Sequence, residues 1–339
     1  MSATTTRRTM LGSCMTATAL AAGCDVQLPS WVPGAKQKSP STSDTPSAND
    51  TPGAPPAAPV PLDIAMDGAP QQGGALRGKT APGAQLTIGA LTFKADAEGR
   101  FIVGFDRDAG ENAVIKALAP DGRSAEKTVS VTPRTFPTQD VGNVPLALES
   151  EAVPPDWFDL DDDVPAFASS GLGAVDRGQH EKELKAIAFT SRSDSTGFAE
   201  AWAPPLKGRR ISSQWGARRI LHTPDGVKEK THYGVDIAAM IGTPITAPAS
   251  GLVVLAEPDM YFEGGCVFID HGQGLFSIYL HMNELLVARR ARVKAGDLIG
   301  KVGQKGRASG PHLCWRMKWL ETHVDPTLMV GGAQALVAR

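Results

Sequence analysis

The sequence predicts a mostly β protein, an antiparallel β-sheet domain in the C-terminal part preceded by a small β-sandwich module. Two observations carry this. Short alternating segments recur at residues 85–88, 91–93, 101–105, 114–118 and 128–131, separated by turn signals at Pro82-Gly83, Glu98-Gly99 and Pro120-Asp-Gly122. Apolar alternation of period two between glycine and proline turns is the pattern of a small antiparallel sandwich. Further on, β-rich runs with frequent Gly and Pro return at residues 245–247, 252–256, 266–270, 276–281, 298–302 and 313–319, which favours a second antiparallel sheet folded on itself.

With 339 residues there is room for two domains plus a signal and linkers, and 42% hydrophobic content is ordinary for globular chains. Residues 1–24 read as an export signal: Arg7 and Arg8 precede a weakly apolar run that is too short to span a bilayer. The run ends Leu20-Ala-Ala-Gly-Cys24, which resembles the lipobox of bacterial lipoproteins and implies Cys24 as the lipidated N-terminus after cleavage. Residues 25–60 are Pro-, Ser- and Thr-rich with almost nothing apolar, a solvated linker. Residues 61–133 form the sandwich, which resembles the immunoglobulin-like modules appended to secreted bacterial enzymes. Nothing in it has catalytic spacing.

Residues 134–205 read as a connector. The acidic run 156–163 lacks the glycine and distal glutamate of a calcium loop, so it is a solvated charge run. Residues 179–188 contain good helix formers and put Leu184, Ile187 and Ala188 on one side, which predicts a short amphipathic helix acting as a connector or as a cover for a groove.

Residues 206–331 carry the chemistry. In Thr231-His-Tyr-Gly-Val-Asp236, His232 and Asp236 are four apart and share a face in a strand or a helical turn; in Gly310-Pro-His-Leu-Cys-Trp315, His312 and Cys314 share a face of a strand. An imidazole, a carboxylate and a thiolate are candidate zinc ligands, with two further imidazoles, His281 of Tyr279-Leu-His281 and His312, available to act on water. Order and spacing resemble the lysostaphin-type (LytM) zinc endopeptidases of the bacterial cell wall, whose pattern is H-x-x-x-D, then Y-x-H, then G-P-H-L-H. The likeness continues through Val235-Asp-Ile-Ala238, Gly242-Thr-Pro244, Asp270-His-Gly272 and Val293-Lys-Ala-Gly-Asp-Leu-Ile-Gly300. It departs at Cys314, where the family has a histidine.

The resemblance implies His232 and Asp236 as metal ligands with Cys314 as the third, and His281 and His312 as the residues that deprotonate water and stabilise the oxyanion. Cys314 leaves three readings open: a ligand, half of a disulfide with Cys266, or the mark of a lost metal site. As a ligand it adds a second negative charge, which predicts a slower enzyme, or one with a more alkaline optimum, than Cys314→His. The implied activity is zinc-dependent hydrolysis of peptidoglycan cross-links by a membrane-anchored lipoprotein of the periplasm. The alternative is an inactive LytM-like module that binds the wall or activates an amidase partner. From Pro205 onward 17 Lys and Arg face 11 Asp and Glu, a net +6 against −8 for the remainder. A mildly basic domain suits peptidoglycan, and it is too modest and too poor in interleaved aromatics for nucleic acid.

Overall fold

A computed structural model of the chain describes residues 61–68, 70–143, 174–223 and 226–337, with side chains from 180 onward in the connector helix. The residues read as an export signal with Cys24, those read as a linker (25–60) and the acidic run 156–163 lie outside the described residues.

The first module is built of β1 (Ala65–Met66), β2 (Ala75–Lys79), β3 (Gln85–Ile88), β4 (Leu91–Lys94), β5 (Arg100–Gly104), β6 (Asn112–Leu118) and β7 (Ser124–Ser130). They make two antiparallel sheets, β1-β2-β5 and β4-β3-β6-β7. Alternation places Ile115 and Ala117 of β6 inward, where they join Leu86, Phe101 and Val131 in a core.

The strand predicted at 128–131 begins four residues earlier and ends at Ser130, as β7. The segment read as a connector with a short helix contains a strand as well, β8 (Thr138–Asn143), ahead of that helix, α1 (Ala174–Phe189). The predicted apolar face of α1 needs correction. Ile187 is 54% exposed, whereas Glu181, Lys185 and Ala188 are buried. Two charged groups are tolerated there because they are paired: Lys185 Nζ lies 2.6 Å from Glu263 Oε1, and the Glu181 carboxylate accepts from the Tyr261 amide.

The C-terminal domain comprises β9 (Arg210–Ser213), β10 (Ala217–Thr223), β11 (Gly226–His232), β12 (Gly234–Ala238), β13 (Pro244–Thr246), β14 (Gly251–Met260), β15 (Gly264–Asp270), β16 (Leu275–Leu285), β17 (Arg292–Val293), β18 (Leu298–Val302), β19 (His312–Trp319) and β20 (Thr322–Val324). Its main sheet runs β17-β14-β15-β16-β19-β12-β9. The sequence pattern does not reveal the β10–β11 hairpin because its residues are largely polar and only partly buried, so no apolar face alternates there. β8 joins this hairpin by parallel pairing with β10.

The main sheet is covered on both faces, which explains the nearly continuous apolar runs of β15 and β16. One face carries Val235, Ile237, Val267, Tyr279, Leu313, Trp315 and Met317, continuous with the core of the first module. The opposite face carries Cys266, Phe268, Phe276, Ile278, Leu280 and Cys314, with Leu184, Ala188 and Phe189 of α1 packed on it.

The first module is welded to this domain rather than strung beside it. Phe93 meets Trp319 edge-on at 5.2 Å, and a Cβ at Gly104 would come within 2.9 Å of Val324 and 3.1 Å of Trp319. Arg134 pairs with buried Asp325 at 2.8 Å, and Arg77 donates to the carbonyls of Phe198 and Glu200.

Candidate metal and peptidase site

Antiparallel register sets the site. Ser213 of β9 faces Asp236 of β12, Asp236 faces Cys314 of β19, and Cys314 faces Leu280 of β16, so four neighbouring strands present one row on one face. His232 closes β11 and enters the row from the side. The ligand atoms of His232, Asp236 and Cys314 all lie within 4.8 Å of one another and all three residues are buried. His232 Nε2 is 3.3 Å from Asp236 Oδ1 and 3.6 Å from Cys314 Sγ.

The hydrogen bonds fix which atoms carry lone pairs. Ser213 has a single hydroxyl hydrogen, which it gives to Gln139 Oε1 at 2.7 Å, and it accepts from Arg219 at 3.0 Å. Its remaining lone pair, 3.1 Å from His232 Nδ1, therefore receives the Nδ1 hydrogen, which leaves Nε2 bare. Burial lowers the pKa of His232, so the neutral ring is favoured. Asp236 Oδ1 is buried with no hydrogen-bond partner. Burial opposes ionisation of Asp236, but the surrounding positive charge, with the Arg219 guanidinium on Oδ2, outweighs it and holds the carboxyl well below the usual range.

A bare imidazole nitrogen, an unpartnered carboxylate oxygen and a sulfur therefore face a common point. Electron-rich atoms so arranged repel one another unless a cation lies between them, and nitrogen, oxygen and sulfur in this set are zinc donors. The residues fit that metal. Burial pushes the Cys314 thiol up to about 12, against the pull of Arg316, so a cation has to displace its proton.

The alternative pairing of Cys314 with Cys266 is overturned. Both cysteines are free, and β16 lies between their strands. Two strand spacings separate their Cα atoms by roughly 10 Å, beyond the limit of about 7 Å for a disulfide. Cys266 Sγ instead packs 3.5 Å from Met260 Sδ.

The two remaining histidines stand together at the site, rings 4.7 Å apart. His281 Nδ1 is 2.9 Å from the Lys305 carbonyl and His312 Nδ1 is 2.7 Å from the Gly310 carbonyl. A carbonyl only accepts, so Nδ1 carries the hydrogen in both rings and each neutral ring presents a bare Nε2. His312 Nε2 lies 3.7 Å from Asp236 Oδ1. Burial, with His312 adjacent, takes His281 down to about 3. His281 also adopts φ 64°, a left-handed conformation uncommon outside glycine and often found at functional sites.

Four residues of this surround are absent from the sequence reading: Gln139, Ser213, Arg219 and Arg316. Arg219 donates to Asp236 Oδ2, and Arg316 Nε donates to Cys314 Sγ at 3.3 Å. Only Arg316 left a signal, since it follows Cys314 by two and must share its face. The other three arrive by strand pairing, to which sequence spacing is blind.

Residues 230–326 match Peptidase family M23. This segment is a peptidase M23 domain. The peptidoglycan DD-endopeptidase ShyC of Vibrio cholerae is 38% identical over 136 residues, 40% of this chain and 31% of that protein. Vibrio cholerae ShyA, also a peptidoglycan DD-endopeptidase, is 39% identical over 108 residues, 32% of this chain and 24% of the relative. The chain thus spans about a third or less of the length of these relatives. A Pseudomonas aeruginosa crystal structure assigned to peptidase M23 superimposes with a TM-score of 0.55 at 25% identity, covering 78% of this chain and 96% of that one. An overlap of that length takes in more than the M23 segment and extends into the residues that precede it.

Proposed function

We propose that this protein is a zinc-dependent endopeptidase that hydrolyses peptide cross-links of peptidoglycan, held in the bacterial envelope by a lipid on Cys24 and working in the periplasm. The observation that carries the reading is the convergence of His232 Nε2, Asp236 Oδ1 and Cys314 Sγ within 4.8 Å, with Oδ1 buried and lacking any donor. The naming of relatives such as ShyC and ShyA as peptidoglycan DD-endopeptidases supports the substrate class.

His232, Asp236 and Cys314 would hold the zinc, which would supply a Lewis acid for the peptide carbonyl and for water. Ser213 keeps the Nδ1 hydrogen of His232 in place and so aims Nε2 at the metal position. His281 and His312, tethered through Nδ1, present Nε2 to the reacting groups. His312, with a bare Nε2 3.7 Å from Asp236 Oδ1 and so beside the metal position, takes the proton from the attacking water. His281, whose Nε2 is likewise bare, accepts a hydrogen bond from the same water and helps to orient it.

The test is digestion of purified peptidoglycan by the purified protein with zinc and with chelator, followed by mass identification of the released fragments. Chelator-sensitive loss of cross-linked peptides supports the reading. A folded protein that binds the wall without cutting it refutes the enzyme and points to an amidase-activating module.

A further inference from the structure

We propose that Arg316 is a positioning residue that holds the Cys314 sulfur and withdraws electron density from it, so that a thiolate serves in this site with an electrostatic effect close to that of a neutral ligand. The inference rests on the zinc reading above and goes beyond it, since neither the spacing motif nor the family match assigns a role to Arg316.

The geometry is specific. Cys314 and Arg316 alternate on β19 and therefore face the same side of the sheet. The guanidinium turns back along the strand, and its Nε donates to Sγ at 3.3 Å. Room for this comes from Gly234, which pairs with Arg316 across β12 and β19. A Cβ on Gly234 would lie 2.8 Å from both the Arg316 Cγ and the Cys314 Sγ, and 3.2 Å from Nε. The strand neighbour is thus a residue without a side chain where the arginine lies against the sulfur.

Charge explains why such a contact matters here. Asp236 and Cys314 bring two negative charges to one divalent ion and would leave it formally neutral. Each of these ligands is met by a guanidinium on its outer side, Arg219 at Asp236 Oδ2 and Arg316 at Cys314 Sγ. Hydrogen bonds to a ligating sulfur are a recognised means of tuning a metal centre, because they draw on the lone pairs that would otherwise be donated. Arginine suits the task, being charged at all working pH values and carrying planar, fixed donors.

The experiment is titration of the metal-free full chain with Co(II), a spectroscopic stand-in for zinc, in the wild type, Arg316→Met, Arg316→Leu and Arg316→Lys. The thiolate-to-cobalt charge-transfer band is read in each, together with the cobalt affinity. The wild type is expected to show one such band at one equivalent. In Arg316→Met the band moves to longer wavelength, because the sulfur lone pair is no longer stabilised, and affinity falls by about 10- to 100-fold. Arg316→Lys, which keeps a cationic donor, brings the band back toward the wild-type position. Arg316→Leu gives the same reading as Met and serves should Met fail to fold.

A wild-type band that neither Met nor Leu moves overturns the inference and leaves the metal site standing. A wild type that binds cobalt without any sulfur band removes Cys314 from the ligand set, and one that binds no cobalt refutes the metal reading; the inference falls in both cases.

Discussion

Ser213→Ala is the sharpest test of how the site is assembled. The hydroxyl is buried and makes three hydrogen bonds, to Gln139 at 2.7 Å, from Arg219 at 3.0 Å and from His232 Nδ1 at 3.1 Å. Gln139 and Arg219 are only partly buried and regain partners from water. His232 does not, so its Nδ1 hydrogen is left buried without an acceptor, which costs about 1–3 kcal/mol. The alternative for the ring is to move its hydrogen to Nε2, which removes the lone pair required at the metal position. By either route zinc affinity falls by roughly 10- to 100-fold, the range typical of lost outer hydrogen bonds to a ligating histidine. Competition against a chromophoric chelator measures the affinity, and thermal melts of the metal-free protein separate it from stability. Ser213→Thr, which keeps the hydroxyl, is expected to retain most of the affinity. Zinc binding by Ser213→Ala within twofold of wild type would refute the role of the hydroxyl, as would a threonine variant as impaired as the alanine.

Other predictions concern the scaffold. Lys185→Met strands Glu263 in a buried position and is expected to lower unfolding free energy by about 3–5 kcal/mol, whereas Lys185→Met with Glu263→Met is far milder; urea denaturation of both checks this. Arg134→Ala removes the cationic partner of Asp325, whose side chain is 4% exposed but keeps its Thr327 donors, while the arginine is 24% exposed, so a smaller loss of about 1–3 kcal/mol is expected in the same assay. His271 is fully buried and is driven down to about 4 by desolvation. Its folded pKa lies below its unfolded value near 6.5, so its contribution is complete above about pH 6.5 and is lost as pH falls toward 4, on the order of 3 kcal/mol. Urea midpoints at pH 8, 6 and 5 should fall more steeply in the wild type than in His271→Gln, and parallel curves would exclude this histidine as a source.

How far the sequence reaches is clearest at the site itself. The donor types and the face-sharing of His312 with Cys314 follow from covalent spacing alone, because side chains on a strand alternate with period two whatever the strand pairs with. The same logic made β3, β13, β16 and β19 visible as apolar runs with turn residues between them. It failed for β8, β10 and β11, whose residues are mostly polar, and it placed Ile187 inward because a helical face reads as apolar or not. The buried side of α1 is in fact held by an ion pair with a residue 78 positions away.

By itself, then, the sequence determined the chemistry on offer: a histidine, an aspartate and a cysteine as donors and two histidines beside them, on a β scaffold. Tertiary structure decided what those groups do to one another. Register put Cys314 beside Asp236 and a full strand away from Cys266, which removed the disulfide. It also brought Ser213, Gln139, Arg219 and the empty side of Gly234 around the ligands. These are contacts between strands distant in sequence, fixed by backbone hydrogen bonding and packing of the whole sheet, and no local pattern encodes them.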